Sequence, residues 1–139
     1  MNTVEETIFF LKQLPRPLVG SLAFDSREVF NLRQSCIDMM KDVMAISNPR
    51  EILEIGTHLG HSGCLLLSFS NANLTTVDIG TNWVEWDHGY LDWGVPKPNG
   101  GGLKEVVETM QRIFGSRYRF IKGSSVLPET VAKFSDKQY

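Results

Sequence analysis

Cysteine is scarce. Cys36 and Cys64 are the only two in 139 residues. No C-x-x-C pair and no Cys/His cluster occurs, which argues against a structural metal site. Both thiols lie in apolar helical patterns and read as buried side chains of a protein kept in a reducing cytosol. Long apolar runs are also missing: none approaches the ~18 residues of a membrane span, so no membrane partner is expected. Met1 to Leu14 carries Glu5 and Glu6 and lacks a charged-then-apolar signal pattern, which makes the cytoplasm the expected location. Positive charge is not in excess. Fourteen Lys and Arg face 16 Asp and Glu, for a net charge of -2. A nucleic-acid partner would call for a basic patch, so none is expected. There are no repeats and no low-complexity tracts.

What is present is an ordinary globular composition, 42% hydrophobic and 22% charged. The length suits one domain with one core. Thr3 followed by Glu6 resembles a capping box, and Ile8, Phe9, Leu11 and Leu14 continue it as a short amphipathic helix that Pro15 and Pro17 end. Asp25 and Glu28 form a second capping pair. Val29, Phe30, Leu32, Cys36, Ile37, Met40, Val43 and Met44 then recur at helical spacing, until Ser47-Asn48-Pro49 breaks the pattern. Residues 1–48 thus read as an N-terminal helical segment.

From residue 49 to 139 the pattern changes to α/β. Ile52-Leu53-Glu54-Ile55 is a continuous, β-branched run of the kind buried in a parallel sheet. Gly56 stops it, and a helix runs from His61 to about Ser70. Leu74 to Val77 is a second strand ending on Asp78. Leu103, Val106, Val107, Met110, Ile113 and Phe114 make a helical stripe with Gly115 at its stop. Tyr118 to Ile121 is a third strand, and Ser125 to Phe134 a further helix with Pro128 in its first turn. The order predicts a Rossmann-like parallel sheet with flanking helices. Between about residues 80 and 102 lies an aromatic insertion with Trp83, Trp86 and Trp93. It keeps neither a helical nor a strand period and is expected to be irregular. It reads equally as a lid over a substrate and as a packing or subunit-contact element. His88, Asp87 and Asp92 within it are a weak metal or base signal.

In open parallel sheets ligands sit beyond the carboxyl ends of the strands. Three groups fall there. The turn from Glu54 to Ser62 holds Gly56 and Gly60, which permit a tight turn and close approach to a ligand. The helix beginning at His61 offers free N–H groups to an anion. Asp78 can accept the hydroxyls of a ribose. Gly123-Ser124-Ser125 follows the third strand, where an adenine would be met. His58 and His61 titrate near neutral pH, but beside this turn they read as positioning or capping residues. Ser62 reads as a first-turn hydrogen-bonding residue rather than a nucleophile. No metal ligands and no catalytic group can be assigned.

Glu54-x-Gly56-x-x-x-Gly60 followed by Val77-Asp78 resembles motifs I and II of class I S-adenosylmethionine-dependent methyltransferases. The run Glu54-Ile55-Gly56-Thr57-His58-Leu59-Gly60-His61-Ser62 is similar to the small-molecule O-methyltransferase branch. The resemblance covers roughly residues 50–127. It implies S-adenosyl-L-methionine as cofactor and a small molecule or sugar as methyl acceptor. By it, Glu54 holds the cofactor's amino group, Gly56, Thr57, Gly60, His61 and Ser62 pass the methionine moiety, and Asp78 binds the ribose. Ser124 stands where many relatives carry an acid against the adenine. The chain ends where the resemblance would place a fourth strand. The expectation is therefore an incomplete fold holding the first three strands, a poor catalyst on its own, marginally stable or homo-oligomeric. Two alternatives remain. One is a non-catalytic cofactor-binding or assembly module. The other is an NAD(P)-binding Rossmann protein, against which stand the absence of G-x-G in the turn and the like charge Glu54 would present to a pyrophosphate.

Overall fold

Thr3 opens the first helix as its spacing predicts. Its Oγ1 accepts from the Glu6 amide at 3.1 Å, and its own amide donates to Glu6 Oε2 at 2.7 Å. Together these satisfy two of the donors a helix start leaves free. The computed structural model describes residues 1–14, 26–57, 60–80, 86–87, 90–92, 95–96 and 102–139, without the side chains of 26–36, 90–92 and 95–96. Helix α1 is Val4–Gln13, α2 Ser26–Ser47, β1 Glu51–Ile55, α3 His61–Ser68, β2 Asn73–Asp78, β3 Tyr90–Asp92 and β4 Val95–Pro96. Helix α4 is Leu103–Phe114, β5 Tyr118–Lys122 and α5 Pro128–Val131, with a short 3-10 turn at Gly115–Arg117.

Three strands form a parallel sheet in the order β1-β2-β5. β2 occupies the centre of the three. β1 is accordingly half-buried along most of its length, whereas β2 is buried through Val77. Side chains alternate between faces along each strand. The register therefore aligns Ile52, Leu74 and Tyr118 on one face with Glu54, Thr76 and Phe120. That face meets the helices: Leu74 and Tyr118 share a core with Leu11 and Leu14 of α1 and its end, Cys64 and Leu67 of α3, and Val106, Met110 and Phe114 of α4. The opposite face carries Leu53, Thr75 and Arg119. Arg119 donates to the Lys133 carbonyl, and Glu51 accepts from Lys137 at 3.1 Å, so the C-terminal stretch lies on this side.

Most of the helical expectations hold in detail. The full α4 stripe is buried or packed against the core. Asn48 follows α2 with φ 42°, a left-handed stop that asparagine tolerates. On α2, Ile37 and Met44 are buried but Val43 is exposed. Asp25 of the second capping pair lies outside the described residues, as does the side chain of Cys36.

The expectation for residues 80–102 needs correcting. β3 and β4 form a small antiparallel ribbon there. Elements of three and two residues are too short to show any period, so hydrophobic patterning could not reveal them.

One side chain ties the sheet to α3. The guanidinium of Arg117 donates to the carbonyls of Leu67 (2.9 Å), Ser70 (2.7 Å) and Ala72 (3.0 Å). These carbonyls lie at the helix end and in the turn beyond it, where carbonyls otherwise lack partners. Arg117→Met should therefore lower stability by about 2–3 kcal/mol, read as a shifted midpoint in urea denaturation. A shift under one-third of that would mean solvent satisfies these carbonyls equally well.

Candidate functional site

The turns at the carboxyl end of the sheet are fastened to the last two residues of β2. Gly56 N donates to the Val77 carbonyl at 2.8 Å and Gly123 N to the Asp78 carbonyl at 2.9 Å. The Asp78 side chain adds two further bonds. Its Oδ2 accepts from Thr57 N at 2.6 Å and its Oδ1 from Gly80 N at 2.7 Å. Two backbone amides thus fix the direction of the carboxylate.

Between these turns lies a cleft of about 270 Å³ lined by Ile55, Gly56, Val77, Asp78, Ile79 and Gly123-Ser124-Ser125. It sits beyond the strand ends, where an open parallel sheet binds ligands. Ile55 and Ile79 are 56% and 52% exposed. They give the cleft apolar walls beside the Asp78 carboxylate. Gly56 has φ +89° and open space around the position of a side chain.

Of the residues singled out from sequence, Gly56, Asp78 and Ser124 meet in this cleft, and Thr57 joins them through its amide. Gly60 is placed differently. Its φ is +80°, and an added Cβ would stand 2.8 Å from Val106 Cγ1. Its smallness lets the turn close on α4 rather than on the cleft. His61 and Ser62 open α3. His58 lies outside the described residues.

Glu54 points under α3. Its Oε1 accepts from Ser62 Oγ at 2.5 Å and its Oε2 from Thr76 Oγ1 at 3.1 Å. Gly63 leaves the room for it, since a Cβ there would lie 3.1 Å from both Glu54 Oε2 and Leu74 Cδ2. Burial pushes the Glu54 carboxyl above its ordinary value; the Ser62 and Thr76 hydroxyls pull it back and the Asp78 carboxylate adds to the rise. Thr76 is a partner that sequence reading missed. Its only signal was a hydroxyl inside an apolar strand, and its pairing opposite Glu54 depends on register.

Within the aromatic insertion, Trp86 is half-buried. It stacks on Phe120 with centroids 5.8 Å apart, Lys122 Nζ lies 5.1 Å from its ring, and its carbonyl accepts from Lys104 N at 2.9 Å. This tryptophan packs on the sheet. Trp83, Trp93 and His88 are outside the described residues. Among the described residues no three His, Cys, Asp or Glu side chains gather as metal ligands, and no helix is long and apolar enough to cross a membrane. Cys64 is a free, buried thiol that burial pushes up to about 12, so it stays protonated and unreactive near neutral pH.

Fold and cleft together define a Rossmann-like parallel α/β unit with an open cleft at the strand ends. No family model and no curated protein matches the chain. Among solved structures it is similar to the crystal structure of a "putative caffeoyl-CoA O-methyltransferase from Staphylococcus aureus". The identity is 20% and the TM-score 0.52, over 83% of this chain and 50% of that one. The chain spans half the length of that structure, and the likeness is one of fold.

A raised folded-state pKa means that the native state holds its proton to higher pH than the unfolded chain does. Stability from Glu54 is then greatest in acid and falls as pH rises from the unfolded glutamate value through the folded one. Glu54→Gln should flatten that part of the stability–pH curve and stabilise the protein at neutral pH, measured by denaturation from pH 4 to 8. An unchanged slope would show that Glu54 ionises as freely folded as unfolded.

Proposed function

We propose that the chain holds the cofactor half of an S-adenosyl-L-methionine-dependent methyltransferase whose acceptor is a small molecule or sugar. The observation that carries this reading is the Asp78 carboxylate, aimed by the Thr57 and Gly80 amides beside an apolar-walled cleft. A diol such as a ribose offers two donors to such a carboxylate, and a charged acceptor roughly doubles the strength of each bond. Ligand pockets commonly measure roughly 300–1,000 Å³. The cleft's 270 Å³ suits the nucleoside part of the cofactor. Ile55 and Ile79 offer flat apolar contact for a base, and Ser124 a hydroxyl at its edge. The fold likeness to a structure named for methyl transfer supports the same reading.

The cofactor, when bound, supplies a sulfonium methyl group for in-line displacement. The chain's own part is orientation. Asp78 fixes the ribose end, while Gly56, without a side chain, lets the ligand pass close to the backbone. Glu54, with both oxygens engaged by Ser62 and Thr76, acts on the cofactor's amino group through the position of the turn and of α3 rather than by a free carboxylate. Proton removal from the acceptor is assigned to no residue here.

S-adenosylhomocysteine should bind by calorimetry and NAD should not. Asp78→Asn, which removes the charge and sets an NH2 donor against one of the two backbone amides, should weaken that binding by about 10- to 100-fold, the equivalent of about 1.5–3 kcal/mol. Binding of NAD alone would replace this reading by a dinucleotide-binding one. Labelled methyl transfer by the 139-residue chain is expected to be weak or absent.

A further inference from the structure

Residues paired in the register of a sheet stand side by side and point to the same face. Asp78, at the end of β2, is paired with Lys122, at the end of β5. Opposite charges so placed attract, and an ammonium is a strong donor to a carboxylate. The stem of Lys122 passes beside Gly80: its Cε lies 3.6 Å from where a Cβ on Gly80 would stand. The Gly80 amide in turn donates to Asp78 Oδ1 at 2.7 Å. The ammonium nevertheless lies over the Trp86 ring, 5.1 Å from its centroid. Trp86 is itself held in place. Its ring stacks on Phe120, which precedes Lys122 by two residues on the same face of β5. Its carbonyl accepts from Lys104 N, in the first turn of α4, at 2.9 Å. Tryptophan presents the aromatic face that attracts a cation most strongly.

We propose that Trp86 is a positioning residue that holds the Lys122 ammonium off the Asp78 carboxylate, so that the lysine does not neutralise that charge beside the cleft. Without the ring, rotation about the lysine's side-chain bonds brings Nζ towards Asp78 Oδ1, on the side where the Gly80 amide already donates. An ammonium there competes with a ligand hydroxyl for the same carboxylate and weakens the charge assistance the hydroxyl would receive. The aromatic insertion that carries Trp86 thereby acts on the cleft without entering it. The position of Lys122 is independent of which ligand the cleft takes; its effect on binding rests on the ribose reading of Asp78.

The test is a cycle of variants, read by nuclear magnetic resonance on the ligand-free, isotope-labelled chain and by calorimetry with S-adenosylhomocysteine. In the unaltered chain the Lys122 Hε protons should resonate upfield, in the ring current of Trp86. Trp86→Leu should move them downfield and shift the Gly80 amide as a second donor reaches Asp78. It should also weaken S-adenosylhomocysteine binding by about two- to fivefold, the range of a partly exposed ion pair. In a Lys122→Met background, which keeps the stem and removes the charge, Trp86→Leu should leave both the Gly80 amide and the affinity unmoved. A Trp86 that serves only as packing would cost the same affinity and move the Gly80 amide equally in both backgrounds, and that result overturns the proposal. If S-adenosylhomocysteine does not bind the unaltered chain, the ribose reading falls and the Gly80 and Lys122 resonances alone decide. If Trp86→Leu does not fold, Trp86→Phe takes its place, since phenylalanine keeps the stack on Phe120 and holds a cation less strongly. It should show the same changes in smaller measure, cancelled by Lys122→Met; unmoved Lys122 and Gly80 resonances overturn the proposal.

Discussion

The end of β2 is the constraint on which the site depends. Val77 and Asp78 accept the amides of Gly56 and Gly123 through their carbonyls, and the Asp78 side chain accepts those of Thr57 and Gly80. Four amides from three different turns thus converge on two residues. The turn after β1, the turn after β2 and the turn after β5 cannot move apart without breaking bonds to a buried strand. This arrangement makes a cleft out of three loops that share no sequence neighbourhood. It works because the sheet is parallel: all three strands end on the same side.

Behind the cleft, the sheet face under α3 and α4 is less uniform than its helices suggest. Leu74, Met110 and Val106 are fully buried there, yet Glu54, Thr76, Thr57 and Tyr118 stand among them. A carboxyl in such a place persists because Ser62 and Thr76 occupy both its oxygens, and because Gly63 brings no Cβ into its space. The cost is a carboxyl that gives up its proton reluctantly. The return is rigidity: Glu54 joins the end of β1 to the first turn of α3, so strand, turn and helix move as one piece. Preorganised groups of this kind act on a ligand by holding geometry rather than by contact.

Much of this was legible from residue order. The capping box at Thr3, the α4 stripe, the glycine stop of β1 and the acid ending β2 are local features. Each depends on the residue itself and its neighbours within a few positions, and each is found where the sequence puts it. The three strand segments were legible too, as short runs rich in apolar and β-branched residues. The β3–β4 ribbon was not, since elements that short have no period to read. Nor was the anchoring of Trp86, whose partners Phe120 and Lys122 lie more than thirty positions away.

The residues of the site divide along the same line. By itself the sequence determined that Gly56, Asp78 and Ser124 stand at strand ends, hence on one side of a parallel sheet. Only the tertiary structure decided what each does there. It turned Glu54 inward onto Ser62 and Thr76, and set Gly60 against Val106 instead of the cleft. The reason is register. Which residue of β2 lies opposite Glu54, and which face Tyr118 shares, follows from strand pairing across more than twenty intervening residues, and no local pattern encodes that alignment.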